Sequence, residues 1–251
     1  MVQLSLTLGA VVGIALSAGY VWYEVGRYAA PQVPVSRFDE RKEMIGYTAG
    51  LFAGIPLAVA LLFLLAALPL GELGGVAIYL AVLVGGTELA QWLILKSVYF
   101  GSDGSGPFYA LGFRAGVAGI LILAVVAQAL ASPALSGASL AVALAQSVAI
   151  LFLGVAGGVL SLPVPTTDAG RRGGPGAGAA FGAVGFFLVA LGPAFGPAGG
   201  VVAAAFAALV AASMYRRLGR ATLDKLRPPR SALPSDDDEP ERPSGFGRTD
   251  E

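Results

Sequence analysis

The chain has no cysteine and no histidine, and only 13% of its 251 residues are charged. Without cysteine there is no disulfide, no thiolate nucleophile and no thiolate ligand for zinc or haem. Without histidine there is no Ser-His-Asp triad, and no Cys/His zinc or copper site can be assembled. The expectation is therefore a non-enzyme with no cofactor and no metal. The lack of cysteine leaves the redox compartment unread. Scarcity of charge excludes something broader. A soluble domain carries about 25% charged residues, and half that value cannot cover a water-facing surface.

What is present is apolar. Hydrophobic residues make up 56% of the chain and the mean hydropathy is +0.75. A hydrocarbon core about 30 Å thick needs about 20 apolar residues per helix. Seven segments meet that need: 4–23, 44–69, 76–98, 108–131, 139–161, 178–194 and 197–215. The last two are too long together for one span, and Gly192-Pro193 through Gly196-Pro197 breaks the helix between them. The first segment is not an ordinary signal peptide, because its basic cluster follows it rather than preceding it.

Placement of the 16 basic residues sets the expected orientation. Arg27, Arg37, Arg41 and Lys42 follow the first span. Lys96 and Arg114 flank the connection between spans three and four, Arg171 and Arg172 precede span six, and the rest follow span seven. The segments 70–75, 132–138 and 193–196 hold none. With seven spans and the N-terminus outside, every Lys and Arg falls on or near the inner side. The expected fold is thus an all-α bundle of about seven transmembrane helices, N-terminus outside and C-terminus inside. A re-entrant pair formed by segments six and seven also leaves the tail inside.

Three regions follow: a transmembrane domain over 1–215, a basic juxtamembrane segment over 216–233, and an acidic tail over 234–251. The tail composition of Asp, Glu, Pro, Ser and Gly predicts disorder. The basic stretch 216–230 is either a topology anchor or a site for anionic lipid head groups. In the first inner loop, Ser36 followed by Asp39 and Glu40 reads as a helix N-cap. Pro56 falls inside span two, where it predicts a kink. Residues 171–178 contain Gly-x-Gly fragments but no Gly-Lys-Ser/Thr, so they read as a flexible loop and not a phosphate cradle. An Ala-, Gly- and Arg-rich composition suggests a GC-rich prokaryote, with the chain in its plasma membrane.

Small residues recur every four positions: Gly46, Gly50 and Gly54; Gly112 and Gly116; Gly154 and Gly158; Gly178 and Gly182. Such faces let helix backbones approach closely, within the bundle or in a homo-oligomer. Spans one to three and five to seven share a coarse loop pattern of the kind seen in parallel repeats. They show no residue-level similarity, and one-sided basic loops by themselves impose such a pattern.

The informative residues are the ionisable ones within the spans, since they are costly there. Glu88 is the one carboxylate that lies well inside an apolar segment, about ten residues or ~15 Å from the inner end of span three. Thr87 and Gln91 are neighbours. Arg114 sits at a comparable depth in span four across the short connection Gly101–Pro107, which makes it the natural partner of Glu88. Its long side chain can also snorkel to the inner surface, as Lys96 is expected to do. Gln128 and Gln146 lie at similar depth near the outer ends of spans four and five, where a side-chain bond between them would hold the hairpin.

Two functional classes follow. In one, the chain is a small-solute or ion transporter or channel with Thr87, Glu88, Gln91 and Arg114 in an inner cavity. In the other, the pair merely neutralises two charges, and the chain is a non-catalytic subunit or scaffold that packs against membrane partners through its glycine faces. The lipid bilayer is the common partner of both, and no nucleic acid is expected. Seven spans invite comparison with retinal proteins. Those carry a retinal-bearing lysine in the last span, and there is none between Pro197 and Tyr215.

Overall fold

The computed structural model describes residues 2–28, 40–67, 73–96, 106–132, 135–161 and 175–219. Expectations for Ser36, for the loops 101–105 and 162–174, and for the tail beyond 219 lie outside these residues. Among the described residues all regular structure is helical. Helix α1 spans Val2–Tyr28 and α2 spans Glu40–Ala67. Helix α3 comprises Leu73–Leu80, a π-helical turn Ala81–Gly85, and Gly86–Leu95. Then come α4 (Gly106–Ala131), α5 (Gly137–Leu160), α6 (Pro175–Leu191) and α7 (Gly196–Met214).

Six helical stretches are long and apolar enough to cross a membrane, the last being the 42-residue run Gly176–Arg217. The chain is a multi-pass membrane protein of long apolar helices. That last run is not a straight rod. A 3-10 turn, Gly192–Phe195, separates α6 from α7, and Gly196 follows with φ +84°. At such a φ only glycine is free of Cβ strain. Contacts along α5 show the reversal. Gln146 bonds Val189 near the end of α6, while Gly178 near its start abuts Gly157 and Ser161, so α6 runs antiparallel to α5. Gly200 packs on Val142 near the start of α5. Tyr215 stacks edge-on against Tyr20, which in turn meets Phe152. Helix α7 therefore runs alongside α5 in the same direction, and α6 and α7 form a hairpin.

Helix α4 is the centre of the bundle. In its most apolar stretch 78% of residues are buried, against 56% for α5 and 33% or less elsewhere. Its glycines explain how so many neighbours reach it. A Cβ on Gly116 would stand 2.8 Å from the backbone nitrogen of Leu51, and one on Gly112 would stand 2.8 Å from the carbonyl oxygen of Glu43. From the other side, Gly46, Gly50 and Gly54 of α2 face Tyr109, Phe113 with Gly116, and Val117 with Ile120 in turn. Helix α1 adds Gly9 and Gly13 against Leu123, Ala127 and Gly119. A bond of 3.0 Å between Ser17 Oγ and the Tyr47 hydroxyl ties α1 to α2. Helices α3 and α5 take the opposite flank of α4, and α6 and α7 pack beyond α5. Pro56 sits on an exposed face of α2 within a continuous helix.

Candidate functional site

The site forms where α3, α4 and α5 meet. Arg114 is on the flank of α4 that faces α5, and its stem lies over Gly158, where any side chain would collide with it. The side chain therefore stays inside the bundle and does not reach for the membrane surface. The Arg114 Nη2 atom meets Glu88 Oε1 at 2.5 Å. The Arg114 Nε–H donates to Gln91 Oε1, and Gln91 Nε2 donates to the Gly158 carbonyl at 3.2 Å. Two residues of α3 thus hold one arginine of α4, and one of them also reaches the backbone of α5.

Ser161, which caps the end of α5, completes the cluster. Its hydroxyl lies 2.9 Å from Glu88 Oε1 and 2.8 Å from the Gly157 carbonyl. One hydroxyl proton serves only one of these acceptors at a time, so Ser161 can exchange between the carboxylate and its own helix. Glu88 Oε2 accepts no hydrogen bond from the described residues. The Glu88 side chain keeps 14% exposure, whereas that of Arg114 keeps 6%.

Local backbone geometry helps to aim these groups. The π turn Ala81–Gly85 ends immediately before them, and such turns insert a residue and rotate everything that follows. Thr87 donates to the Leu83 carbonyl at 2.5 Å, which ties its hydroxyl to that turn. Thr87 and Gln91, one helical turn apart, face inward, with Glu88 at the edge of the same face. A small, partly open space of about 20 Å³ adjoins Thr87, Glu88 and Arg114 and is bordered by Gly154, Gly157, Gly178 and Gly182. That is room for about one water molecule.

No protein-family model matches the chain, and no curated protein or solved structure is significantly similar to it.

The remaining polar residues lie elsewhere. Similar depth suggests a bond between Gln146 and Gln128, but Gln146 donates instead to the Val189 carbonyl at 3.3 Å. The two glutamines border one groove, and the acceptor that Gln146 uses is on α6. Gln128 is exposed and makes no hydrogen bond within the described residues. Lys96 is exposed and folds its ammonium over the Trp92 ring at 4.5 Å. Arg216 and Arg217 are exposed at the end of α7. Of the glycine pairs, Gly154 makes only ordinary contacts and Gly182 only a loose one with Val84.

Glu88 is not the one carboxylate inside the helical bundle. Glu24 and Glu43 are 2% and 1% exposed. They lie just beyond the apolar runs 4–23 and 44–69, but α1 and α2 continue past those runs and carry both residues into the packed interior. A signal for this exists in the sequence. Glu24 continues the face of Gly13, Ser17 and Val21, and Glu43 continues the face of Gly46, Tyr47 and Gly50 at helical spacing. Small-residue faces point inward, and so do their extensions.

Proposed function

We propose that this membrane protein moves a small solute or ion, with Glu88 as the group that binds or couples to it. The supporting observation is the half-committed carboxylate: Oε1 is held by Arg114 and Ser161, while Oε2 has no donor among the described residues. Placing a charged group at mid-helix costs roughly 2.5–3.5 kcal/mol on insertion scales. Glycine contacts already join α1 and α2 to α4 over most of their length, so an ion pair is not needed merely to hold helices to α4. A cation or proton arriving at Glu88 releases Arg114 from its partner. Gly154, Gly157, Gly178 and Gly182 bring α5 and α6 close together beside the carboxylate, with Ile150, Leu153 and Phe186 completing the wall.

The proposal includes the topology. The α6–α7 reversal supports two crossings there, hence seven spans, and the one-sided basic residues favour the N-terminus outside and the C-terminus inside. It also includes a non-enzymatic role in the plasma membrane of a prokaryote, resting on the absence of Cys and His and on composition.

A second reading, a non-catalytic subunit held rigid by the ion pair, is favoured by the small size of the cavity, about 20 Å³. The glycine faces offer it little, because Gly46, Gly50, Gly54, Gly112 and Gly116 are covered within the chain. Reconstitution in liposomes separates the two. Proton, sodium and small-solute fluxes are compared between the wild type and Glu88→Gln. Transport predicts flux above that of empty liposomes and its loss in the variant. Absence of wild-type flux, or flux untouched by the substitution, leaves the subunit reading.

A further inference from the structure

A second concavity opens at the far end of the bundle from Lys96 and Arg217. It lies between α4 and α5, has a volume of about 370 Å³, and is bordered by Gln128, Ser132, Ser139 and Gln146. None of the residues that border it is charged. Gln146 is nine residues beyond the start of α5, hence ~14 Å deep at 1.5 Å per residue. At that depth carboxamides are expensive. Each has two donor sites and two acceptor lone pairs, and unsatisfied polar groups in hydrocarbon cost several kcal/mol each. Gln146 satisfies one donor through Val189, and Gln128, three residues from the end of α4, satisfies none within the described residues. Water can supply the missing partners, and lipid tails cannot.

The groove also points at the site already described. Leu121 and Ile150 are one helical turn inward of Val125 and Gln146, which border the groove, and both border the inner cavity beside Glu88. Polar groove and charged cavity are thus separated by a single apolar layer, ~6 Å along the helix axes. The opposite flank of α4 provides a contrast. A groove of about 500 Å³ between α1 and α2 is bordered mainly by aliphatic side chains such as Leu6, Ile55, Val59 and Leu123, with Ser5 and Gln128 as its only polar residues, as suits a lipid chain.

We infer that the groove between α4 and α5 is a water-filled vestibule that admits a small, net-neutral, hydrogen-bonding solute toward Glu88 and Arg114, with Leu121 and Ile150 as the closed apolar gate. The route rests on the transport reading, but the wetness of the vestibule does not. A border without net charge attracts neither sign of ion over the other at long range.

Because the chain has no cysteine, single cysteines report cleanly. In proteoliposomes, Gln128→Cys, Ser139→Cys and Gln146→Cys are reacted with a cationic and an anionic methanethiosulfonate. Leu144→Cys, on the lipid-facing side of α5, is the control. Only a thiolate reacts, and a thiol in lipid stays protonated, so the vestibule positions should react roughly tenfold or more faster than Leu144→Cys. Both reagents should react at comparable rates, and Ile150→Cys should be slow. Gln128→Cys breaks no bond, so it stands if Gln146→Cys misfolds. Vestibule positions as slow as Leu144→Cys would overturn the inference whatever the fluxes show. Strong preference for one reagent charge would overturn the neutral-solute assignment. Modification of Gln146→Cys or Gln128→Cys should also block solute flux. Rapid labelling without any block would overturn the route. Rapid labelling of a protein that shows no flux at all upholds the wet vestibule and removes the transport reading.

Discussion

Gly158 lies directly beneath Arg114: a Cβ built on the glycine would stand 2.5 Å from the arginine Cγ. The missing side chain is what allows the guanidinium to reach Glu88 and Gln91, and the Gly158 carbonyl then accepts from Gln91. Gly158→Ala must push the arginine stem aside. Overpacking of this kind costs about 1–3 kcal/mol, and the expected result is a clear drop in melting temperature in mild detergent. Gly154→Ala, whose nearest neighbours stand at 3.5 Å, is expected to change stability by no more than about 0.5 kcal/mol. Equal effects at the two positions would show that Arg114 is not held over Gly158.

Glu88 and Arg114 should be energetically coupled. Removing one member of a buried pair leaves an uncompensated charge and typically costs about 3–5 kcal/mol. Glu88→Gln and Arg114→Gln singly are expected to destabilise strongly, and the double variant less than their sum. Thermal unfolding of all four proteins closes the cycle. Additivity within about 0.5 kcal/mol would mean that the two residues do not interact.

The pairing is legible in the residue order, because counting from the membrane edge puts both charges at one depth and a short connection limits their separation. Ser161 is not legible in this way. It falls at the very end of α5, where hydropathy gives no hint that a hydroxyl turns back to a carboxylate on α3. Nor does the residue order reveal that Gln146 bonds Val189, because acceptors on backbone carbonyls carry no sequence signature. Glu24 and Glu43 escape a hydropathy reading for a related reason: hydropathy marks where apolar residues stop, not where helix packing stops.

Helix α4 should tolerate little at Gly116. The obstructing atoms there are backbone atoms of Tyr47, Gly50 and Leu51, which cannot rotate away. Gly116→Ala is expected to cost at least as much as Gly158→Ala. Gly19→Ala on α1 meets nothing within 4 Å and should be neutral, or stabilising by up to about 1 kcal/mol through helix propensity. The ranking of the two variants by melting temperature is the check. Similar values would place the tight α2–α4 approach in doubt.

The reversal between α6 and α7 predicts accessibility. A cysteine at Ala194 should react with a membrane-impermeant reagent from the same side as cysteines at Gly74 and Ser136. One at Lys96 should react only from the other side. An Ala194→Cys thiol that reacts from neither side would indicate a turn buried in the membrane, and therefore a re-entrant pair.

Membrane character, the approximate extent of each apolar helix, the gathering of basic residues near one set of helix ends, and the depth at which Glu88 and Arg114 can meet all follow from residue order alone. These are properties of segments measured against lipid, and they add along the chain. Packing fixes the rest: α4 is the centre, its glycines are covered by α1 and α2, α3 is fastened through an ion pair, and Gln146 turns to α6. In a membrane each helix is apolar on every face, so no amphipathic stripe marks the inward side. Orientation is settled by which backbones can approach and which polar groups find partners at the same depth, and both depend on helices far apart in sequence.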